Sequence, residues 1–152
     1  MLSVRLVQMI EDHAEILTAA VVRELRSDPR LPRLAQLPET ELRDRCQEIF
    51  KRLGHWLAET EETEIADHFA HIARKRAAQQ VPLHEVVLGL QILKNRILAY
   101  ARDQGIELTT LEIYAEEELE HRVGSFFDAV IFHLVRAYEH ALRHQSASIA
   151  SG

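Results

Sequence analysis

The stretch RKRAAQQVPLHEVVLGLQILKNRI, residues 74–97, decides how the chain folds. Its first part closes an amphipathic helix with Arg74, Lys75 and Arg76, cations placed where a helix dipole is negative. Val81-Pro82 then makes a corner, because the residue before a proline is pushed out of the α region. From Pro82 onward Leu83, Val86, Val87, Leu88, Leu90, Ile92, Leu93, Ile97 and Leu98 leave few polar sides on the next helix. A helix apolar all round is a buried one. The stretch therefore predicts a corner feeding a central helix.

The segments on either side follow the same helical period. Upstream, Leu6, Ile10, Ala14, Leu17, Val21 and Leu25 recur at steps of three and four, one face of a helix. Asp28-Pro29 and Leu31-Pro32 stop it, and a connector to Leu37 leaves room for a short helical turn near Leu31–Leu34. Pro38 opens a second helix with the stripe Leu42, Cys46, Ile49, Phe50, Leu53, Trp56, Leu57. Gly54 lies inside that run, where it weakens the helix and admits a close neighbour. Glu59 to Glu64 read as a solvated acidic hinge that leads into the positive end of a third helix. That helix carries Ile65, Phe69, Ile72, Ala73 and Ala77.

Downstream, Asp103-Gln104-Gly105 ends the fourth helix, with Gly105 suited to the left-handed C′ position. Thr109 or Thr110 caps a fifth. Its stripe runs Leu111, Ala115, Leu119, Val123, Phe126, Val130, Leu134, Tyr138, Ala141. That predicts a length of ~45–50 Å at 1.5 Å per residue, more than a compact bundle needs. The expected fold is all-α: an antiparallel bundle of about five helices with a long C-terminal helix. Residues 1–145 form one domain and 146–152 a flexible tail. No period-2 run suggests a strand.

Composition narrows the function classes. The 152 residues are 47% hydrophobic and 28% charged, an ordinary globular balance. A net charge of −6 argues against nucleic acid or anionic membrane as a partner. The single cysteine, Cys46, allows no internal disulfide and reads as a small buried hydrophobe. The opening MLSVRLVQMIEDH is charged and lacks a cleavage site, so no signal peptide is expected. No apolar run approaches the ~18–20 residues of a membrane span, and a cytoplasmic location follows as the expectation.

Nine histidines invite a search for a metal or haem site. His68 and His71 fall on a polar helix flank. Glu118 and His121 form one E-x-x-H pair, whereas a di-iron bundle needs two. His13, His55 and His133 border apolar stripes, so a haem- or small-ligand-binding globin-like protein is an alternative reading. His84-Glu85 gives a second, a histidine phosphotransfer domain. No nucleophile elbow or phosphate loop is present, and no enzyme activity, metal site or cofactor is expected. More informative are Arg76, Gln79, Glu85 and Gln91, polar residues on the organising stretch that must find partners. They read as a structural brace or as ligand contacts, with Arg76 reaching Glu85 across the corner.

Arg76, Gln79, Pro82, Leu83, Glu85, Val86, Val87 and Leu90 also carry a family pattern. The segment resembles the R-x-x-Q-G-x-P-L-x-E motif of RsbRD-type N-terminal domains, the helical input domains of stressosome RsbT co-antagonists. Related domains are attached to sensor histidine kinases. The glycine usual before Val81 is Gln80 here. The resemblance implies a non-catalytic sensory or interaction domain that forms homodimers and acts on a downstream signalling protein or module. The long last helix points the same way: its distal half needs a surface to bury against, so Phe126, Val130, Leu134 and Tyr138 read as the dimer or relay helix.

Overall fold

A computed structural model describes residues 2–58, 60–104 and 109–151. Among them are seven helices and no strand: α1 (Val4–Asp12), α2 (Ala14–Ser27), α3 (Glu39–Lys51), α4 (Leu53–Leu57), α5 (Glu62–Ala78), α6 (Leu83–Asp103) and α7 (Thr110–Ser151). A single 3₁₀ turn, Leu34–Gln36, occupies the connector where a helical turn was expected.

The difference from five is local. The first expected helix is split at His13 and the second at Arg52, each a single non-helical residue. The apolar period continues across both breaks: Ile10, Ala14 and Leu17 are all buried, as are Phe50, Leu53 and Trp56. Glu11 explains the second break. Its Oε1 accepts the Gly54 N–H at 2.8 Å and so caps the first turn of α4. A Cβ on Gly54 would meet that oxygen at 2.8 Å, so any side chain there displaces the Glu11 carboxylate from its bond to the Gly54 N–H. The N-terminus of α1 is tied down in the same manner. Glu118 of α7 accepts the Leu2 and Ser3 N–H groups at 3.2 Å and the Ser3 hydroxyl at 2.9 Å.

The core is continuous from Val7 to Tyr138. α7 lies longest against α5, then against α6, while α2 packs on α3. Arg102 on α6 meets Glu120 at 3.9 Å, while Val81, just before α6, meets Tyr138 farther along α7. Tyr100 of α6 meets His13 at 3.0 Å, and Arg96 meets Glu24 of α2 at 2.8 Å. α6 is less enclosed than its sequence suggested. It buries Val86, Ile92, Leu93, Ile97 and Ala101 but leaves Leu83, Val87, Leu88, Leu90 and Leu98 half-buried.

α7 is 42 residues, roughly 63 Å at 1.5 Å per residue. Thr109 caps it with Glu112 in a reciprocal box: Glu112 N–H donates to Thr109 Oγ1 at 3.2 Å, and Thr109 N–H to Glu112 Oε2 at 2.8 Å. Its buried stripe starts at Ala115, since Leu111 is exposed. The helix continues through Ser151, where the sequence suggested a tail from Ser146. Gly105, read as a helix C′ residue, and Glu59 of the acidic hinge lie outside the described residues.

Candidate functional site

The corner at residues 79–82 ends α5 with a Schellman motif. The Gln80 N–H donates to the Ala77 carbonyl at 3.0 Å and the Val81 N–H to the Arg76 carbonyl at 3.1 Å. Gln80 adopts φ 60°, the left-handed conformation that glycine takes most readily. The Tyr138 hydroxyl donates to the Val81 carbonyl and fastens the corner to α7.

Two separate carboxylates grip this corner, and the expected Arg76–Glu85 contact is not made. Arg76, only 4% exposed, donates to Glu41 Oε1 of α3 at 2.5 Å and to Gln79 at 2.8 Å. Gln79 Nε2 donates to the same Glu41 oxygen at 2.9 Å, and Lys75 stands 3.1 Å from it. Burial pushes the Glu41 carboxyl up, but hydrogen bonds from Gln79, Arg76 and Lys75 outweigh it and hold the group at about 2. Glu85 points the other way, into the α2–α3 connector. Its Oε1 accepts the Arg33 and Leu34 N–H groups at 2.9 and 3.1 Å. Gln91 is exposed on α6 and joins neither group.

Between the two grips lies a cavity of about 80 Å³, walled by Leu25, Leu42, Phe69, Val86, Leu90 and Leu93. Arg76 and Leu34 also line it, so each carboxylate positions one wall. Cys46 faces it too; burial pushes its thiol up to about 12, which leaves it inert.

Polar residues border one side of the cavity, a feature that no sequence pattern signals. Arg45 and Glu48 line it from α3, with Arg45 Nη1 3.2 Å from Glu48 Oε2. His68 of α5 places Nε2 3.3 Å from the same oxygen. Trp56 covers the group, its indole N–H donating to the Glu48 carbonyl at 3.1 Å and its ring 5.2 Å from the His68 ring. Arg45 Nε, Glu48 Oε2 and His68 Nε2 are sealed from solvent and make no well-aligned hydrogen bond, the Glu48 oxygen being held by its close approach to Arg45 and His68. His68 is thus half-buried against Trp56, where its place beside Phe69 on a polar flank suggested exposure.

With this geometry in hand, comparison with known families is decisive. The profile of the RsbT co-antagonist protein rsbRD N-terminal domain matches residues 14–150. The chain belongs to this family. The match spans α2 to α7 and leaves α1 outside it. No curated protein and no solved structure matches the chain significantly. As an RsbRD-type domain it is a stressosome-related signalling input domain.

The other sequence candidates lie apart from the corner of this RsbRD-type domain. His13, His55 and His133 do not reach the cavity; they bond Met9 and Tyr100, Glu64, and Glu62 respectively. The corner cavity has no histidine in its wall, whereas His133 and His140 line a separate, open groove between α5 and α7. His84 is exposed, but the adjacent acid that phosphotransfer chemistry would use, Glu85, is buried on Arg33 and Leu34. Glu118 caps α1, and among the described residues no three His, Cys, Asp or Glu side chains converge on a metal position. Phe126, Val130, Leu134 and Tyr138 are buried in the chain's own core. The surface that the distal half of α7 needs comes largely from α5, so these four are not exposed for a partner. No helix among the described residues is long and apolar enough to cross a membrane.

Proposed function

We propose that this domain is a non-catalytic, homodimeric input module of a cytoplasmic bacterial regulator. A change of packing at the corner is passed along α7 to a downstream module, such as a histidine kinase, or to a partner protein. The pairings of α6 with α7 and of α2 with α6 support an antiparallel arrangement in which the corner and α7 move as a unit. Phe126, Val130, Leu134 and Tyr138 act in this reading as relay residues between the core and α7.

One observation carries the dimer. The outer face of α7 presents Phe132 at 59% and Leu142 at 43% exposure, with Ile131 and Val135 half-buried beside them. These residues recur at helical spacing on a helix that continues to Ser151. Exposed apolar side chains on this face, interspersed with Arg136, Glu139 and Arg143, offer a surface for a second copy. Light scattering on the purified domain should give the dimer mass at micromolar concentration, and Phe132→Glu with Leu142→Glu should give the monomer with unchanged helicity. A wild-type chain that stays monomeric throughout would overturn the self-association.

A further inference from the structure

We propose that His140 and His144 of α7 form a two-histidine chelate for a divalent transition metal of the copper, nickel and zinc class. Residues four apart lie on one face of a helix, and two histidines at that spacing can ligate one ion. Here the two rings have already converged. Nε2 of His140 and Nε2 of His144 stand 2.9 Å apart. Two imidazole nitrogens each ~2.0–2.1 Å from an ion, at right angles to one another, are separated by ~2.9 Å. The pair is therefore set for adjacent corners of a square-planar or octahedral centre, the geometry of copper(II) and nickel(II). A tetrahedral zinc centre would open the nitrogens to ~3.3–3.4 Å. A plain hydrogen bond between the rings explains the arrangement less well. A straight N–H···N bond would hold the ring centres roughly 5 Å apart. They are 4.3 Å apart with their planes at 77°, so the rings are not aligned head to head.

Both histidines are exposed, so an ion reaches them directly from solvent. Among the described residues no third His, Cys, Asp or Glu converges on the pair, so water fills the other coordination positions. Arg136 and Arg143 of α7 and Asp67 of α5 line the open groove that His140 borders. The arginines oppose any cation, and the affinity rests on the nitrogen donors alone. Hard cations that want oxygen ligands are excluded on the same ground. The pair also spans the point where α7 leaves the core. Tyr138 is the last buried side chain of α7 among those described, and residues 142–147 are exposed. A helical segment without tertiary packing is marginal in water. An ion that joins His140 to His144 ties one such turn together. That this stiffening alters the output rests on the input-domain reading, in which the signal leaves along α7. Binding of the ion does not depend on that reading.

The test titrates the untagged, metal-free chain calorimetrically with copper(II), nickel(II), zinc(II) and magnesium(II) chlorides near neutral pH. Copper should bind at one equivalent per chain with a micromolar dissociation constant, nickel and zinc more weakly, and magnesium not at all. His140→Ala and His144→Ala should each weaken copper at least tenfold, whereas His133→Ala should leave it unchanged. Combining His144→Ala with Gln145→His keeps two histidines but turns the second off the shared face, and it too should lose the binding. Zinc should slow amide exchange in residues 140–147 of the wild-type chain at least twofold and have no such effect in His144→Ala. Copper affinity unchanged in the shifted pair, or in either alanine variant, would overturn the chelate. A stoichiometry of half an equivalent would overturn the single-chain site, because two copies would then share the ion. Metal binding without slower exchange would remove the proposed stiffening of α7. A chain that binds no copper leaves the dimer reading intact, and a monomer that binds copper overturns the dimer alone, since light scattering reads self-association independently.

Discussion

Gln80 holds the one left-handed residue among the described non-glycine positions, at φ 60°. An L-residue pays roughly 1–2 kcal/mol for that conformation, and glycine pays almost none. The Gln80 side chain is exposed and forms no contact that would be lost. The Schellman bonds of Gln80 and Val81 fix the backbone whatever the side chain. Gln80→Gly should therefore stabilise the domain by about 1 kcal/mol, a rise of ~2–4 °C in the thermal midpoint of a chain this size. A lower midpoint in calorimetry would mean that the corner does not hold this conformation in solution. The family motif made the position visible in the sequence, because glycine usually stands there. The contacts of Arg76 and Glu85 were not visible. Both residues were marked as needing partners, yet their partners lie on α3 and the connector, 35 and 51–52 residues away. Spacing along a helix identifies which face a residue takes and gives no information on which remote backbone N–H it will meet.

At the scale of elements, the helices were legible and their interruptions were not. Prolines at 29, 32, 38 and 82 punctuate the chain where the structure turns. His13 and Arg52 break helices without a proline and without disturbing the apolar period, so no pattern signals them. A carboxylate from another element stabilises the break at Arg52, Glu11 on Gly54 at the start of α4, and Glu118 likewise ties down Leu2 and Ser3 before α1. Glu11 had counted only as one of the charges of the opening segment, and Glu118 as half of an E-x-x-H pair. Gly54→Ala tests the first of these joints. The added methyl group meets Glu11 Oε1 at 2.8 Å, so the carboxylate must swing away and abandon the Gly54 N–H. Loss of a charged cap typically costs ~1–2 kcal/mol, partly offset by the better helix propensity of alanine. A net loss of about 1 kcal/mol in chemical denaturation is expected, with faster hydrogen exchange in α4. An unchanged midpoint would show that α1 and α4 are not coupled through this bond.

For the whole molecule, the Glu41 network makes a prediction about acid. Its carboxyl is held at about 2 in the folded chain against an ordinary value of 4.5, so between these two values the unfolded chain binds the extra proton. Stability from this group is therefore fully present above about 4.5 and is lost as pH falls towards about 2. Glu41 is 15% exposed and Arg76 is 4% exposed, so solvent screens the pair little, and the contribution at neutral pH is on the order of a few kcal/mol. Acid also acts through the overall charge. Protonating carboxylates turns a chain with 18 Lys and Arg and 9 His strongly cationic, and self-repulsion destabilises any compact state. That second effect falls on wild type and on Glu41→Gln alike, so the difference between them isolates the network. Urea denaturation from pH 7 to pH 2.5 should find Glu41→Gln less stable by roughly 3 kcal/mol at pH 7, because a buried Arg76 is left without its counter-charge. The gap should narrow below about 4.5, where the unfolded chain takes up a proton that folded Glu41 takes up only near about 2. A gap that stays constant across the range would mean that the charge of Glu41 contributes nothing and that the corner is held by shape and neutral hydrogen bonds alone. In that case the corner's bond to α7 through Tyr138 and Val81 would be the remaining polar tie holding it in place.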